Sequence, residues 1–170
     1  PTRVCIVGAR AWEVEELQLL QRRGVRIFDM AEIRRRGLTA AFRDALTIAR
    51  AGGGGFGLSL DLDALEPQAV PAVTCPEAGG LDPRELADAL LALRSCDDFL
   101  ALEIVEYRPD LDADGRSAHW ALEFAAAALG PDSSELRERE RRHGAANYAP
   151  LPVVFQRGEA PARQDCQRRQ

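Results

Sequence analysis

Asp61 and Asp63, two carboxylates one residue apart, stand at the end of a short apolar run, Gly57-Leu58-Ser59-Leu60. Read as a strand, this run sends alternate side chains to opposite faces, so both carboxylates point to the same side. Two anions that close repel each other, and a metal ion, a proton or a cationic substrate would relieve them. Aspartate at a strand end also serves as a turn residue or a helix cap, and residue type alone leaves both roles open. A second apolar run, Leu100 to Pro109, carries Glu103 and Glu106; carboxylates there need partners or an exposed strand end. Glu13 and Glu16 are spaced to share one helix face, although acids also favour a helix N-terminus on electrostatic grounds.

The elements that must position these groups alternate. Residues 3 to 8 read as a strand closed by a Gly turn, and 13 to 23 as a helix stopped by Gly24. Residues 25 to 28 read as a second strand, and 38 to 50 as a helix through Ala41, Phe42, Ala45, Leu46 and Ala49. Gly52 to Gly55 lack the Gly-Lys-Ser/Thr ending of a phosphate loop and read as a connection into the Asp-x-Asp strand. Asp82-Pro83-Arg84-Glu85 is a helix start with its cap, a first-turn proline and an acid. That helix runs to about residue 94, followed by a strand over 99 to 107 and a helix over 116 to 129. The strand before Asp61, short and apolar, is expected to be covered on both faces. The alternation predicts a three-layer α/β/α architecture with a mostly parallel sheet, whose ligands bind beyond the carboxyl ends of the strands.

Composition narrows the function. With 170 residues and 46% hydrophobic content, the chain supports one core and a tail. Its net charge is −5 and no basic stripe appears, so nucleic acid is not an expected partner. All 22 basic residues are Arg, which excludes a lysine Schiff base within this sequence. Cys5, Cys75, Cys96 and Cys166 form no Cys-x-x-Cys and read as reduced packing thiols. With no signal-like leader and no membrane-length apolar run, a cytoplasmic location is expected and a membrane is not. The absence of an initial Met points to a processed product or a fragment. Asp110 to Arg116 is acidic but lacks the closing Glu of a calcium loop, so it reads as a capped loop before the last helix.

Residues 59 to 81 resemble the third signature of the ureohydrolase family, the arginases, agmatinases and formiminoglutamases. Ser59, Asp61, Asp63, Pro67, Pro71, Pro76, Gly79, Gly80 and Leu81 stand in the signature's places, while Glu66 and Cys75 depart from it. The resemblance implies that Asp61 and Asp63 are ligands of a pair of manganese ions, a hard metal that favours carboxylate oxygen. It also implies that Glu106 pairs with the substrate guanidinium, for which a carboxylate accepting two parallel hydrogen bonds is suited. Glu103 would support it. Gly8-Ala9-Arg10 with Glu13 and Glu16 resembles the arginase segment that recognises the α-amino group of the substrate. This favours arginase over agmatinase.

The resemblance is to the carboxyl-terminal half of the family and covers residues up to about 129. The family's other ligands, in Gly-Gly-Asp-His and Asp-x-His-x-Asp motifs, do not occur in this sequence. The expected function is manganese-dependent hydrolysis of arginine to ornithine and urea, by a chain inactive alone. Its expected partners are a small guanidino substrate and either further copies of itself or a complementing amino-terminal half. Alternatives are an agmatinase or formiminoglutamase activity, or a non-catalytic interaction fragment. Residues 1 to 130 are expected to form the arginase-like part, and 131 to 142 a charged linker. The tail, 143 to 170, is expected to be poorly ordered; residues 142 to 159 resemble the opening of ornithine aminotransferases, which bind pyridoxal phosphate. No aminotransferase chemistry is expected, because the cofactor lysine is missing.

Overall fold

The computed structural model describes residues 3–130; the expectations for the linker and tail lie outside them. Two parallel strand pairs form the framework. β1 (Cys5–Ala9) pairs with β2 (Arg26–Asp29), and β3 (Phe56–Asp61) pairs with β4 (Phe99–Val105). The two pairs are not hydrogen-bonded to each other. The parallel α/β arrangement is therefore present, but as two pairs where an unbroken sheet would be the simplest form.

The helices follow from local signals. α1 spans Val14–Arg22, α2 Met30–Arg36, α3 Leu38–Arg50, α4 Pro83–Leu90 and α5 Arg116–Leu129. α3 buries Leu38, Ala41, Phe42 and Ala45, the i, i+3, i+4, i+7 stripe of an amphipathic helix. α4 begins as expected, with the Asp82 carboxylate accepting from Arg84 N (2.8 Å) and Glu85 N (3.2 Å) and Pro83 in the first turn. It gives way to a 3-10 turn over Leu91–Ser95. α5 ends where Arg94 takes up the carbonyls of Ala126 and Ala127, satisfying acceptors that a helix end leaves open.

Helix α2 was not expected from the sequence. It is seven residues long and buries just Met30 and Ile33, too short for a helical period to register. Its signal is Asp29, which ends β2 and caps the helix by accepting from Glu32 N at 2.7 Å.

α3, α4 and α5 form a layer against the strands, joined in one core with Leu60, Phe99 and Phe124. α1 meets this framework at a cavity, which its Glu16 and Leu20 line together with Ser59 and Asp61. The expectation that β3 is covered on both faces fails: Leu58 and Leu60 turn inward while Gly57, Ser59 and Asp61 are exposed. No helix among the described residues is long and apolar enough to cross a membrane.

Candidate functional site

Asp61 and Asp63 come together differently from strand alternation. β3 ends at Asp61, and Asp63 belongs to the 3-10 turn Leu62–Ala64. Asp61 caps that turn, its carboxylate accepting from Asp63 N at 2.8 Å. Asp63 accepts from Cys75 N, at 3.2 Å to the nearer oxygen. Of the roles weighed for the pair, the cap is the one that Asp61 shows. Burial pushes the Asp63 carboxyl above the usual aspartate range, and the charges of Asp61 and Glu106 push it the same way; the Cys75 N–H and Arg10 oppose them.

The turn and the loop behind it are anchored by buried apolar residues and by backbone-directed polar contacts. Leu62, Leu65, Val70 and Leu81 are buried. Leu65 and Leu81 form a parallel bridge, and Glu66 accepts from Gly79 N at 3.0 Å. Gly80 lies so close to this turn that a Cβ would stand 2.4 Å from the Leu65 carbonyl group, which gives the Gly-Gly-Leu segment its physical meaning. Three arginines reach the loop by donating to carbonyls: Arg34 to Gly79, Arg116 to Gln68, and Arg10 to Glu77.

Arg10, named in the Gly8-Ala9-Arg10 resemblance without a role of its own, is a positioning residue. From the end of β1 its guanidinium also donates to the carbonyls of Asp63 (2.7 Å) and Ala64 (3.3 Å). It fixes the backbone under the acidic pair. The available signal was an Arg two residues past a strand-end glycine; its targets, more than fifty positions away, were not readable locally.

Glu106 follows β4 and has φ 65°, the one positive value among the described non-glycine residues. The pairing of β4 with β3 holds one side of it and the bridge from Tyr107 to Val73 holds the other. A non-glycine residue in this region carries strain of about 1–2 kcal/mol, of a kind that often marks functional positions. Glu103 accepts from the Ser59 hydroxyl at 2.8 Å, across the ladder from it. The segment after Glu106 is a capped loop, as expected. Asp112 is buried and accepts from Ser117 N (3.0 Å), Ala118 N (2.8 Å) and Tyr107 Oη (3.0 Å). Burial raises its carboxyl, and these three donors outweigh that and hold it below the ordinary value.

A cavity of about 580 Å³ opens beside the pair, lined among others by Arg10, Trp12, Glu16, Asp61 and Asp63. Glu16 shares it with the aspartates, whereas Glu13, the exposed residue before α1, is not among its lining residues. No group of three or more His, Cys, Asp or Glu able to hold a metal occurs among the described residues. The two aspartates fit part of a divalent-cation site and do not complete one.

The fold is a parallel α/β arrangement with Asp61, Glu103 and Glu106 at or near the carboxyl ends of β3 and β4 and Asp63 in the turn after β3. Comparison places it more narrowly. The Arginase family profile matches residues 1–130, and the chain belongs to the Arginase family. It is 34% identical over 127 residues to the arginase of Brevibacillus brevis, covering 75% of this chain and 43% of that protein. With the arginase of Bacillus subtilis strain 168 it shares 34% over 130 residues, covering 76% and 44%. The crystal structure of arginase from Bacillus cereus superposes with a TM-score of 0.72 at 34% identity, over 77% of this chain and 45% of that one. The N(1)-aminopropylagmatine ureohydrolase of Thermus thermophilus is 36% identical over 104 residues, 61% of this chain and 34% of that protein. The chain spans less than half the length of these relatives.

Proposed function

We propose that the chain contributes one wall of an arginase-type active site that hydrolyses the guanidinium group of arginine to ornithine and urea. The observation that carries this is the placing of Asp61, at the end of β3, and Asp63, in the turn after it, on the wall of one cavity, where burial and the charge of Asp61 raise the Asp63 carboxyl, in a chain of the Arginase family. A cation removes that repulsion. Asp61 and Asp63 would hold manganese, which supplies the activated water and the polarisation needed for attack at the guanidinium carbon. Arg10 keeps the pair's backbone in place. Glu106, fixed at its unusual φ, would receive the guanidinium fork in two parallel hydrogen bonds. Glu16, on the cavity wall, would contact the substrate's α-amino group, with Glu13 further out.

The remaining metal ligands would come from a complementing amino-terminal half, because the motifs that carry them do not occur in this sequence. The chain alone is expected to bind manganese weakly and to release no urea. The test is urea release by the chain, alone and combined with the part of the Bacillus subtilis arginase outside the match, in manganese with arginine. Activity confined to the combination, and lost in Asp61→Asn, supports the reading. Urea release by the chain alone at the rate of an intact arginase would refute it. A second reading is hydrolysis of an agmatine-type substrate, favoured by the Thermus thermophilus relative; N(1)-aminopropylagmatine or agmatine replacing arginine as the better substrate would select it.

A further inference from the structure

A buried polar network lies under the start of α5. Asp112 and Ser117 are the two buried polar or charged residues among those described, and such groups persist where they are hydrogen-bonded. Asp112 follows a 3-10 turn over Pro109–Leu111 and precedes Gly115, whose left-handed conformation (φ 70°) opens α5. Gly115 has no side chain with which to cap the helix. The Asp112 carboxylate takes up the amides of Ser117 and Ala118 in its place, satisfying donors that a helix start leaves open.

Capping needs no more than those two bonds, yet the network reaches further. The same carboxylate accepts from Tyr107 Oη at 3.0 Å, and Ser117 Oγ accepts from Ala72 N at 2.9 Å. The Ala72 carbonyl in turn accepts from Arg108 N at 2.9 Å, and Val73 pairs antiparallel with Tyr107. Glu106 is the residue these bonds enclose. On its amino-terminal side Val105 is paired with Asp61 of β3. On its carboxyl-terminal side Tyr107 and Arg108 are tied to residues 72–73 through the backbone, and Tyr107 to Asp112 through its hydroxyl. Glu106 itself is exposed, so burial of its own side chain does not hold φ at 65°. A positive φ at a non-glycine residue persists where the surrounding structure over-determines it. A hydrogen bond to an ionised acceptor is of the same order as the strain of one such residue, so the bond from Tyr107 to Asp112 is large enough to decide whether the conformation is kept.

We infer that Asp112 is a positioning residue for Glu106: by anchoring the Tyr107 hydroxyl and, through Ser117, residues 72–73, it holds Glu106 in the conformation from which its carboxylate meets the substrate. The inference rests on the proposed function for what Glu106 contacts, the guanidinium group, and not for the conformation itself. Asp112 is buried and acts through Tyr107. The 72–73 segment also leads, two residues on, to Cys75, whose amide donates to Asp63. The network thus stands behind both acidic groups, but unequally. Glu106 is the immediate neighbour of Tyr107, whereas Asp63 is reached through the intervening loop and has the Asp61 turn and the Arg10 contacts besides.

The test reads conformation and rate separately. In the full chain, the intraresidue amide-to-Hα Overhauser effect of Glu106 is strong while its φ is positive. It should weaken about twofold or more in Tyr107→Phe, which removes one bond and leaves the α5 cap in place, and in Asp112→Ala. Asp112→Asn can still accept from Ser117 N and bond the Tyr107 hydroxyl, and should restore about half of the lost effect. Tyr107→Phe decides alone should Asp112→Ala not fold. In the chain completed with the part of the Bacillus subtilis arginase outside its 130-residue match, Tyr107→Phe should lower kcat/KM for arginine about fivefold or more and change manganese affinity less than about twofold. In a Glu106→Gln background the same change should cost less than about twofold, because both substitutions then act on one contact. A role in stability alone would lower the melting temperature and move neither the Overhauser effect nor the cycle. The inference is overturned if the Glu106 conformation is unchanged in Tyr107→Phe, or if that substitution costs as much rate with Glu106→Gln as without it. Arginine and manganese do not enter the Overhauser readout. A conformation lost as expected in a completed chain that releases no urea sinks the catalytic reading alone, and an unchanged conformation beside normal urea release sinks the positioning role alone.

Discussion

The end of β3 and the start of α1 present carboxylates to one cavity, yet they are held in opposite ways. Behind Asp61 and Asp63 stand buried Leu62, Leu65 and Leu81, the Arg10 clamp and a loop tied by Arg34, Arg116 and Glu66. Behind Glu16 stands a helix with no buried residue. The difference teaches where the scaffold is complete. The β3 side carries its own support, whereas the α1 side lines the cavity from a helix that buries none of its residues.

Substitutions should expose this asymmetry. Gly80→Ala should have the largest effect, about 3 kcal/mol or more of destabilisation, because the added Cβ meets backbone that cannot rotate away. Urea denaturation with unchanged slope would check it. Asp112→Ala should cost about 2–3 kcal/mol, since it strands the amides of Ser117 and Ala118 and the Tyr107 hydroxyl. The same residue gives a pH signature. Its carboxyl is held below the ordinary 3.8 in the fold, so its contribution is complete above that value and is lost as pH falls through the lower folded value. Acid unfolding of Asp112→Ala should therefore show a weaker pH dependence in that window.

Glu106→Gly should stabilise the chain by about 0.5–1 kcal/mol, by removing the side chain from a positive-φ position, while abolishing the proposed guanidinium contact. A thermal melt that moves upward together with loss of activity in the completed assembly would verify both halves. Leu20→Ala in the isolated chain should cost less than about 1 kcal/mol, against the 2–5 kcal/mol usual for a buried leucine such as Leu62. A large cost at Leu20 would break the contrast between the two regions. Asp63→Asn should have the smallest effect, a gain of about 0.5 kcal/mol or less without metal, given partial solvent screening. Its sign follows from the raised folded value: the fold favours the protonated form, so ionisation above that value costs stability and the amide escapes the cost.

The sequence made the local parts of this structure legible. The α3 stripe, the Asp82 cap and the last helix over residues 116 to 129 follow from periodicity and end signals within a dozen residues. The acidic pair was visible for the same reason. What escaped was set at a distance. Nothing local tells that Arg10 will reach the Asp63 carbonyl, that Glu106 will leave β4 with positive φ, or that β1 and β3 will belong to separate strand pairs. Alternation also misled over Asp63, because a strand that ends at Asp61 hands the next residue pair to a turn with its own geometry.

Manganese titration followed by electron paramagnetic resonance tests the central claim most directly, comparing the chain, its complex with the complementary arginase portion, and the same complex carrying Asp61→Asn or Asp63→Asn. The account predicts weak binding by the chain alone, binding at least a hundredfold tighter in the complex, and loss of most of that gain in either variant. Tight binding that survives both substitutions would contradict it.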